Sequence, residues 1–569
     1  MKKKLVFSAI LFCVITTSQG QFLKKITGKK ETDTTKVEKK VGGGLFQNIV
    51  AKVAKVAGNA AGGMAGMVST VDNLENVDIL ASIGTNIYSK KLGLVVNDFL
   101  GDDWIDNGDF TMIMLSSKNS FQLNKYAGSI KVNNKELKHS SYGVHTVCEN
   151  PNSGNKKISF EKNGIVEGSF EVPALKNNIK LLTINGQKDN VNIDLTKDVV
   201  LEFSNYSTTK ESLLRIDIIA SVIGIRSLYL VTYVKPAAKV VIPFQAFRNI
   251  ETMSKGLGFS NCYLSVSDQL AVKTINNTGF FKSPIDALTG SNDGMWINVT
   301  QKPEQFYGIS IENKTKTTEV TAQKKNAAYS MPLSKAQKIA VASLSIEGTT
   351  YSESSKVNAF QQTETTKTIE FPQIPDAWQE ATLVEMHKNI TATTGQILGG
   401  TILPVEIVTQ APSYNEVQNF FREETNTSSN FLRAYKGLNP IKPLSTSSLK
   451  MYGENALLSE TKSDALLKIK MVLELSWDSK PLMTPFLYVT MDGASNGAFR
   501  SASGNTNYFT IKIKGEPYEI KKGKVITPDE YVKITQVALL NQIYKETLSS
   551  LKQKELEKGD YEVIWNLQK

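Results

Sequence analysis

Cysteine and histidine are scarce in this chain of 569 residues, with three of each. So few cysteines exclude a disulfide-stapled scaffold, and so few histidines leave little material for a multi-histidine metal centre or a hydrolytic triad. Charge of one sign is lacking as well. The net charge is +11, but the first twenty residues hold three lysines and no acid, and residues 21–44 hold seven lysines against three acids. The other 525 residues carry 56 bases against 52 acids. A body so close to neutrality has no broad basic face for phosphates, which excludes nucleic acid as a partner.

What is present suits a folded protein: 41% hydrophobic and 21% charged residues, enough for three or four domains at roughly 150 residues each. The amino terminus reads as a secretory signal peptide over residues 1–20. Lys2, Lys3 and Lys4 form its charged region, Leu5 to Thr17 its apolar region, and Ser18-Gln19-Gly20 a small-residue cleavage site. The apolar run falls short of the roughly 20 residues of a membrane helix. Cys13 is preceded by Phe12 and not by the small residue that lipid attachment favours. The mature chain is expected to start at Gln21 and to be exported, to the periplasm, the outer-membrane periphery or the exterior. Cys148 and Cys262 then remain as a candidate disulfide or as two buried thiols.

Residues 21–44 read as a basic flexible tether, and 45–105 as a Gly/Ala-rich helical segment. Ile49, Val53, Val56, Ala60, Met64, Met67 and Val71 recur at helical spacing. Lys52, Lys55, Gly58, Gly62 and Gly66 fall on the other side, where the glycines allow a second backbone to come close. Three readings stay open for this helix. It packs on the segment from Leu74 to Leu100 through Leu80, Ile83 and Ile87, lies on an anionic membrane surface, or meets a partner or another copy.

From residue 106 the pattern becomes β. Strands are expected at Phe110–Leu115, Ile158–Phe160, Ile165–Val172, Ile179–Ile184, Val191–Leu195, Val199–Phe203, Leu213–Val222, Leu228–Val234 and Val240–Pro243, with hairpins at Asn133-Asn134 and Asn163-Gly164. Residues 106–250 therefore read as a β-sandwich-like domain and 251–333 as a further β-rich region, either a second β unit or an extension of the first. Residues 334–569 read as an α/β domain: a buried strand at Ile339–Ile346, a helix from Pro375-Asp376 with Ala377, Ala381 and Val384 inward, a strand at Ile402–Thr409, and a helix beginning near Ser413. Then come a half-buried strand from Ala465 to Trp477, strands at Phe486–Met491 and Tyr508–Ile513, a capped helix from Thr527 to Gly559, and a last strand at Tyr561–Leu567. The class is multidomain α+β.

Two patterns in this last domain carry a resemblance. Lys338-Ile339-Ala340-Val341 leads a strand that is followed by a helix, and Lys462-Ser463-Asp464-Ala465-Leu466-Leu467-Lys468-Ile469 leads into a long one. The order resembles envelope α/β domains related to the curli-secretion lipoprotein and to lipoprotein activators of peptidoglycan synthases, over residues 335–569. It implies assembly or partner activation and transfers no catalytic residue. The insertions here are longer, and the lipid anchor of those families is missing. The wealth of Lys and Asn resembles exported proteins of Bacteroidota.

Candidate chemistry is thin. His139, His145, Cys148 and Glu149 lie within eleven residues but match no zinc template, and loop residues are the simpler account. Asp102, Asp103, Asp106 and Asp109 surround Asn107-Gly108, yet a calcium-loop register from Asp103 puts Ile105 and Met114 where oxygen ligands belong. His387 sits at the edge of an apolar helix face as a structural histidine. Ser-x-x-Lys recurs, as at Ser447/Lys450, Ser459/Lys462 and Ser549/Lys552, by chance in a chain rich in both residues. No metal or cofactor is called for. The reading is a non-catalytic cell-envelope scaffold or interaction module. Its partners are envelope proteins or further copies, and a membrane surface met through residues 45–71. The alternative is a secreted carbohydrate-binding or carbohydrate-active protein using Trp104, Trp296 or Trp378.

Overall fold

The structure, a computed structural model, describes residues 68–568 apart from short stretches, the longest being 86–102, 251–261, 354–366, 415–428, 441–451 and 495–506. It is α+β and rich in strands, with the long helices in its carboxy-terminal third.

An eleven-stranded sheet runs Val68–Val71, Leu123–Tyr126, Asp109–Ser117, Val77–Thr85, Asp286–Gln301, Cys262–Lys273, Leu213–Val222, Ile225–Val234. Val191–Asp194, Val144–Glu149 and Lys138–His139 pair beside this path. Two smaller sheets pack on it. The five-stranded one holds the hairpin Lys156–Lys162/Ile165–Val172. Its turn residues Asn163 and Gly164 both take positive φ, 52° and 78°, as a two-residue hairpin demands. Tyr126, Ile113, Leu115, Phe160, Phe170 and Phe281 fill the space beneath it. The three-stranded sheet, Lys180–Ile184, Val199–Ser204 and Lys239–Ile242, shares a core with Ile216, Ile218, Leu264 and Val266.

The carboxy-terminal sheet runs Ile309–Lys314, Glu319–Lys324, Asn507–Lys514, Lys480–Gly493, Ala465–Asp478, Lys338–Thr349, Thr401–Ile402, with Ser429–Ala434 and Tyr518–Glu519 beside it. Helices Asp376–Leu398 and Val537–Lys558 pack together on one face. The hydroxyls of Thr394 and Tyr544 meet between them at 2.8 Å.

Most expected strands lie where the periodicity puts them, and five expectations are corrected. The described part of the segment expected to be helical is strand, Val68–Val71 and Val77–Thr85. Val68, Thr70 and Val71 are β-branched and favour extended backbone, and Leu80 and Ile83 lie on the second of these strands. Residues 45–67 are outside the described residues. In region 251–333, Cys262–Lys273 and Asp286–Gln301 extend the first large sheet, and Ile309–Lys314 and Glu319–Lys324 join the second. The strand expected at Ile402–Thr409 stops after Ile402, because Pro404 cannot donate to a ladder and instead precedes the helix Val405–Thr409. Helix Asp376–Leu398 buries Gln379, Leu383, Met386 and Ile390 and leaves Ala377, Ala381 and Val384 all exposed. The helix from Thr527 has its capping box, but Gln536 at φ 49° breaks it into Pro528–Thr535 and Val537–Lys558. Last, Tyr561–Leu567 is no strand but part of a helix, Asp560–Asn566. Tyr561, Ile564 and Trp565 are buried at three- and four-residue spacing after Gly559 ends the preceding helix.

This last helix joins the two halves. Trp565 Nε1 donates to the carbonyls of Ala327 and Ser330 at 3.0 and 2.9 Å, and Tyr561 Oη to Lys325 O at 2.7 Å. Arg248 pairs with Asp560 at 3.1 Å, and Lys235 N donates to Leu567 O at 2.7 Å. Beneath it Lys324, fully buried, meets Glu555 at 3.0 Å, Ser330 Oγ at 3.0 Å, Tyr508 O at 3.0 Å and the Tyr561 ring at 4.6 Å. Glu555 in turn accepts from Leu333 N at 2.7 Å.

Burial pushes the Lys324 ammonium down to about 8 against the pull of Glu555. A base whose folded pKa is depressed binds its proton more readily in the unfolded chain, so stability gains as pH rises between the two values. Between about pH 8 and pH 10, where unfolded tyrosines begin to ionise, the melting temperature of the wild type is expected to gain on that of Lys324→Met. Parallel slopes in thermal scans across that window would refute the assignment.

Candidate functional site

The residues singled out from the sequence do not converge. Lys52, Lys55, Gly58, Gly62 and Gly66 lie outside the described residues. Cys148 and Cys262 are not joined by a disulfide: Cys148 packs with Trp104, Ile105 and Phe110, and Cys262 sits in the large shared core. The four-residue zinc set also separates. Cys148 Sγ turns to Ile105 O at 3.6 Å, and Glu149 lies 3.6 Å from Lys156, while His139 and His145 face each other with ring centroids 4.8 Å apart. No group of three or more metal-type ligands occurs among the described residues. Of the acidic turn, Asp109 is buried against Lys156 at 2.7 Å and Asp103 pairs with Lys138. His387 stacks on Tyr435 at 4.5 Å and 16°. Trp104, Trp296 and Trp378 each lean on another ring, Phe110, Tyr263 and Tyr531.

Two features escaped the sequence reading. One is the pentapeptide Gly493-Ala494-Ser495-Asn496-Gly497, which has the form Gly-x-Ser-x-Gly. A nucleophile elbow needs a strand-to-helix turn. Here the strand Lys480–Gly493 is followed, in the described residues, by its antiparallel neighbour Asn507–Lys514, and Ser495 lies outside those residues. The other is Lys468, which the alternation of its strand marks as a solvent-side lysine. It is buried, 2.5 Å from Glu454 and 3.1 Å from Asp492, and Asn507 Nδ2 donates to Asp492 at 2.9 Å. Burial alone would lower its pKa, but the two carboxylates hold it above the ordinary lysine value. No local pattern announces such a group, since its partners come from a helix and a neighbouring strand.

Farther along the same sheet face the cover thins: Lys512 is exposed, Lys470, Val472, Tyr488 and Lys514 are half-buried, and Phe486 is buried beneath them. Strand register places Lys470, Tyr488 and Lys512 in one row and Val472, Phe486 and Lys514 in the next. The opposite face of these strands, with Leu487, Val489, Ile511 and Ile513, is core, so the rows face away from the long helices. Lys470 is tied to Glu347 at 2.5 Å. Lys512 is exposed, with Nζ 5.3 Å from the Phe486 centroid and 5.4 Å from that of Tyr488. Lys514 stands 6.0 Å from Phe486, and the two rings are 6.5 Å apart and within 25° of parallel. Neither Lys512 nor Lys514 has a carboxylate within ion-pair reach among the described residues. Two ammonium groups over two near-parallel rings suit a partner that brings negative charge together with apolar or planar surface. No family model matches this chain, and no curated protein matches it.

The buried and the exposed lysines are expected to separate in mutagenesis. Lys468→Met strands two buried carboxylates and costs about 3–5 kcal/mol. Lys512→Ala changes stability by less than about 0.5 kcal/mol. Denaturant midpoints of the two variants check this directly.

Proposed function

We propose that the protein is exported to the cell envelope and acts there as a non-catalytic scaffold or interaction module, with the open face of its carboxy-terminal sheet as the contact surface. The observation that carries the reading is the pair of rows Lys470–Tyr488–Lys512 and Val472–Phe486–Lys514, where cations lie over aromatic rings on a face turned away from the two long helices. Sheet geometry fixes the spacing of these side chains, and a preorganised surface spends less on ordering when a partner docks.

Two further facts support it. The patterns behind the resemblance to envelope assembly and activator domains lie side by side: Ile339 pairs with Ala465 and Val341 with Leu467 in parallel register. The resemblance therefore corresponds to one central strand pair and not to two unrelated stretches. The two large sheets also share a continuous core, which suits a rigid platform.

The partner expected is an envelope protein that presents an acidic segment. Affinity purification of the tagged chain from crosslinked host envelopes is expected to recover specific proteins that are lost with Lys512→Glu/Lys514→Glu and with Tyr488→Ala. Recovery unchanged by these substitutions would remove this face from the account. Sugar-dependent quenching of tryptophan fluorescence in the purified chain would favour the carbohydrate-binding alternative.

A further inference from the structure

The geometry points to a metal-ion site at the paired histidines His139 and His145: a borderline first-row transition metal such as Cu²⁺ or Zn²⁺ held by two imidazoles. His139 ends the short strand Lys138–His139, and His145 lies directly opposite on Val144–Glu149. The hairpin register therefore places the two rings side by side.

Three observations carry the inference. First, the ring centroids are 4.8 Å apart. A metal about 2.0 Å from an imidazole nitrogen lies about 3.2 Å from that ring's centroid, so two ligating rings at a bond angle of about 90–110° stand roughly 4.5–5.2 Å apart. The observed separation lies inside that range. Second, His139 Nε2 and His145 Nδ1 are both buried and both without a hydrogen-bond partner. An imidazole nitrogen in that position loses its bonds to water and gains none in return unless something else takes its lone pair. Third, His145 is bonded to the backbone of Ile113. A backbone carbonyl at this ring is the kind of second-shell partner that orients a metal-ligating histidine.

Burial, the largest influence on each, lowers both pKa values, that of His145 to about 4. Both rings are then neutral near pH 7, as ligation requires. The charge facing them is the ammonium of Lys125, which depresses both pKa values and opposes a cation. Cys148 and Glu149 turn to other partners. The protein thus supplies two nitrogens to the ion. Imidazole donors and the stability order of the divalent ions rank Cu²⁺ first.

The test exploits the small number of histidines. The full chain is titrated with CuSO₄ and with ZnCl₂ by calorimetry, and the Cu²⁺ form is examined by electron paramagnetic resonance. One equivalent of Cu²⁺ with nitrogen hyperfine structure is expected, lost in His139→Gln and in His145→Gln and kept in His387→Gln. Lys125→Gln is expected to tighten it. Because His139 is half-buried at a strand end, thermal melting of His139→Gln confirms that the fold survives. Absence of binding in the wild type, or binding that persists in a folded His139→Gln, overturns the site.

Discussion

The ammonium of Lys324 has no access to water, and its partners define where the molecule is sealed. Burying a lone cation costs many kcal/mol unless opposite charge and hydrogen-bond acceptors surround it. Here they come from four places: Glu555 on the long helix, Ser330 in the turn that follows the strand, Tyr508 on a sheet neighbour and the ring of Tyr561 on the last helix. None can leave without exposing the charge or stranding it. The lysine therefore fixes the carboxy-terminal helices against the sheet. Through Asp560, which pairs with Arg248, and Leu567, whose carbonyl accepts from Lys235 N, the last helix also holds the sandwich-like half. The junction is polar at its centre and apolar around it, a combination that favours one docking geometry over many.

Lysines elsewhere follow the same physics with different results. Lys156 and Lys468 are buried and each sits with two carboxylates. Lys512 and Lys514 stay on the open face, with rings and not carboxylates for company. A cation over an aromatic face contributes little in water and more once a partner excludes it. The contact surface proposed for these rows rests on that asymmetry, whereas the buried lysines stabilise the frame that carries them.

Much of the frame was legible in the sequence, because period-two runs such as Leu213–Val222 and turn pairs such as Asn163-Gly164 state their structure locally. The capping box at Thr527 did the same for a helix start. What stayed hidden was non-local. Lys468 belongs to a strand whose alternation points it to solvent, and only a helix folded over that end of the sheet makes it a core residue. His139 and His145 look like turn residues until the hairpin register sets them opposite each other. Residues 561–567 read as a strand because their aromatic content outweighed the spacing of Tyr561, Ile564 and Trp565. The rows of the sheet face could not be assembled from one strand at a time.

The central claim is that both large sheets belong to one body, so that the exposed rows are held by the whole molecule. Differential scanning calorimetry tests it most directly. The account predicts a single cooperative transition for the wild type that splits into two in Arg248→Ala/Asn249→Ala, where the pair with Asp560 and the bond from Ala327 N to Asn249 Oδ1 across the junction are gone. Two independent transitions already present in the wild type would contradict it.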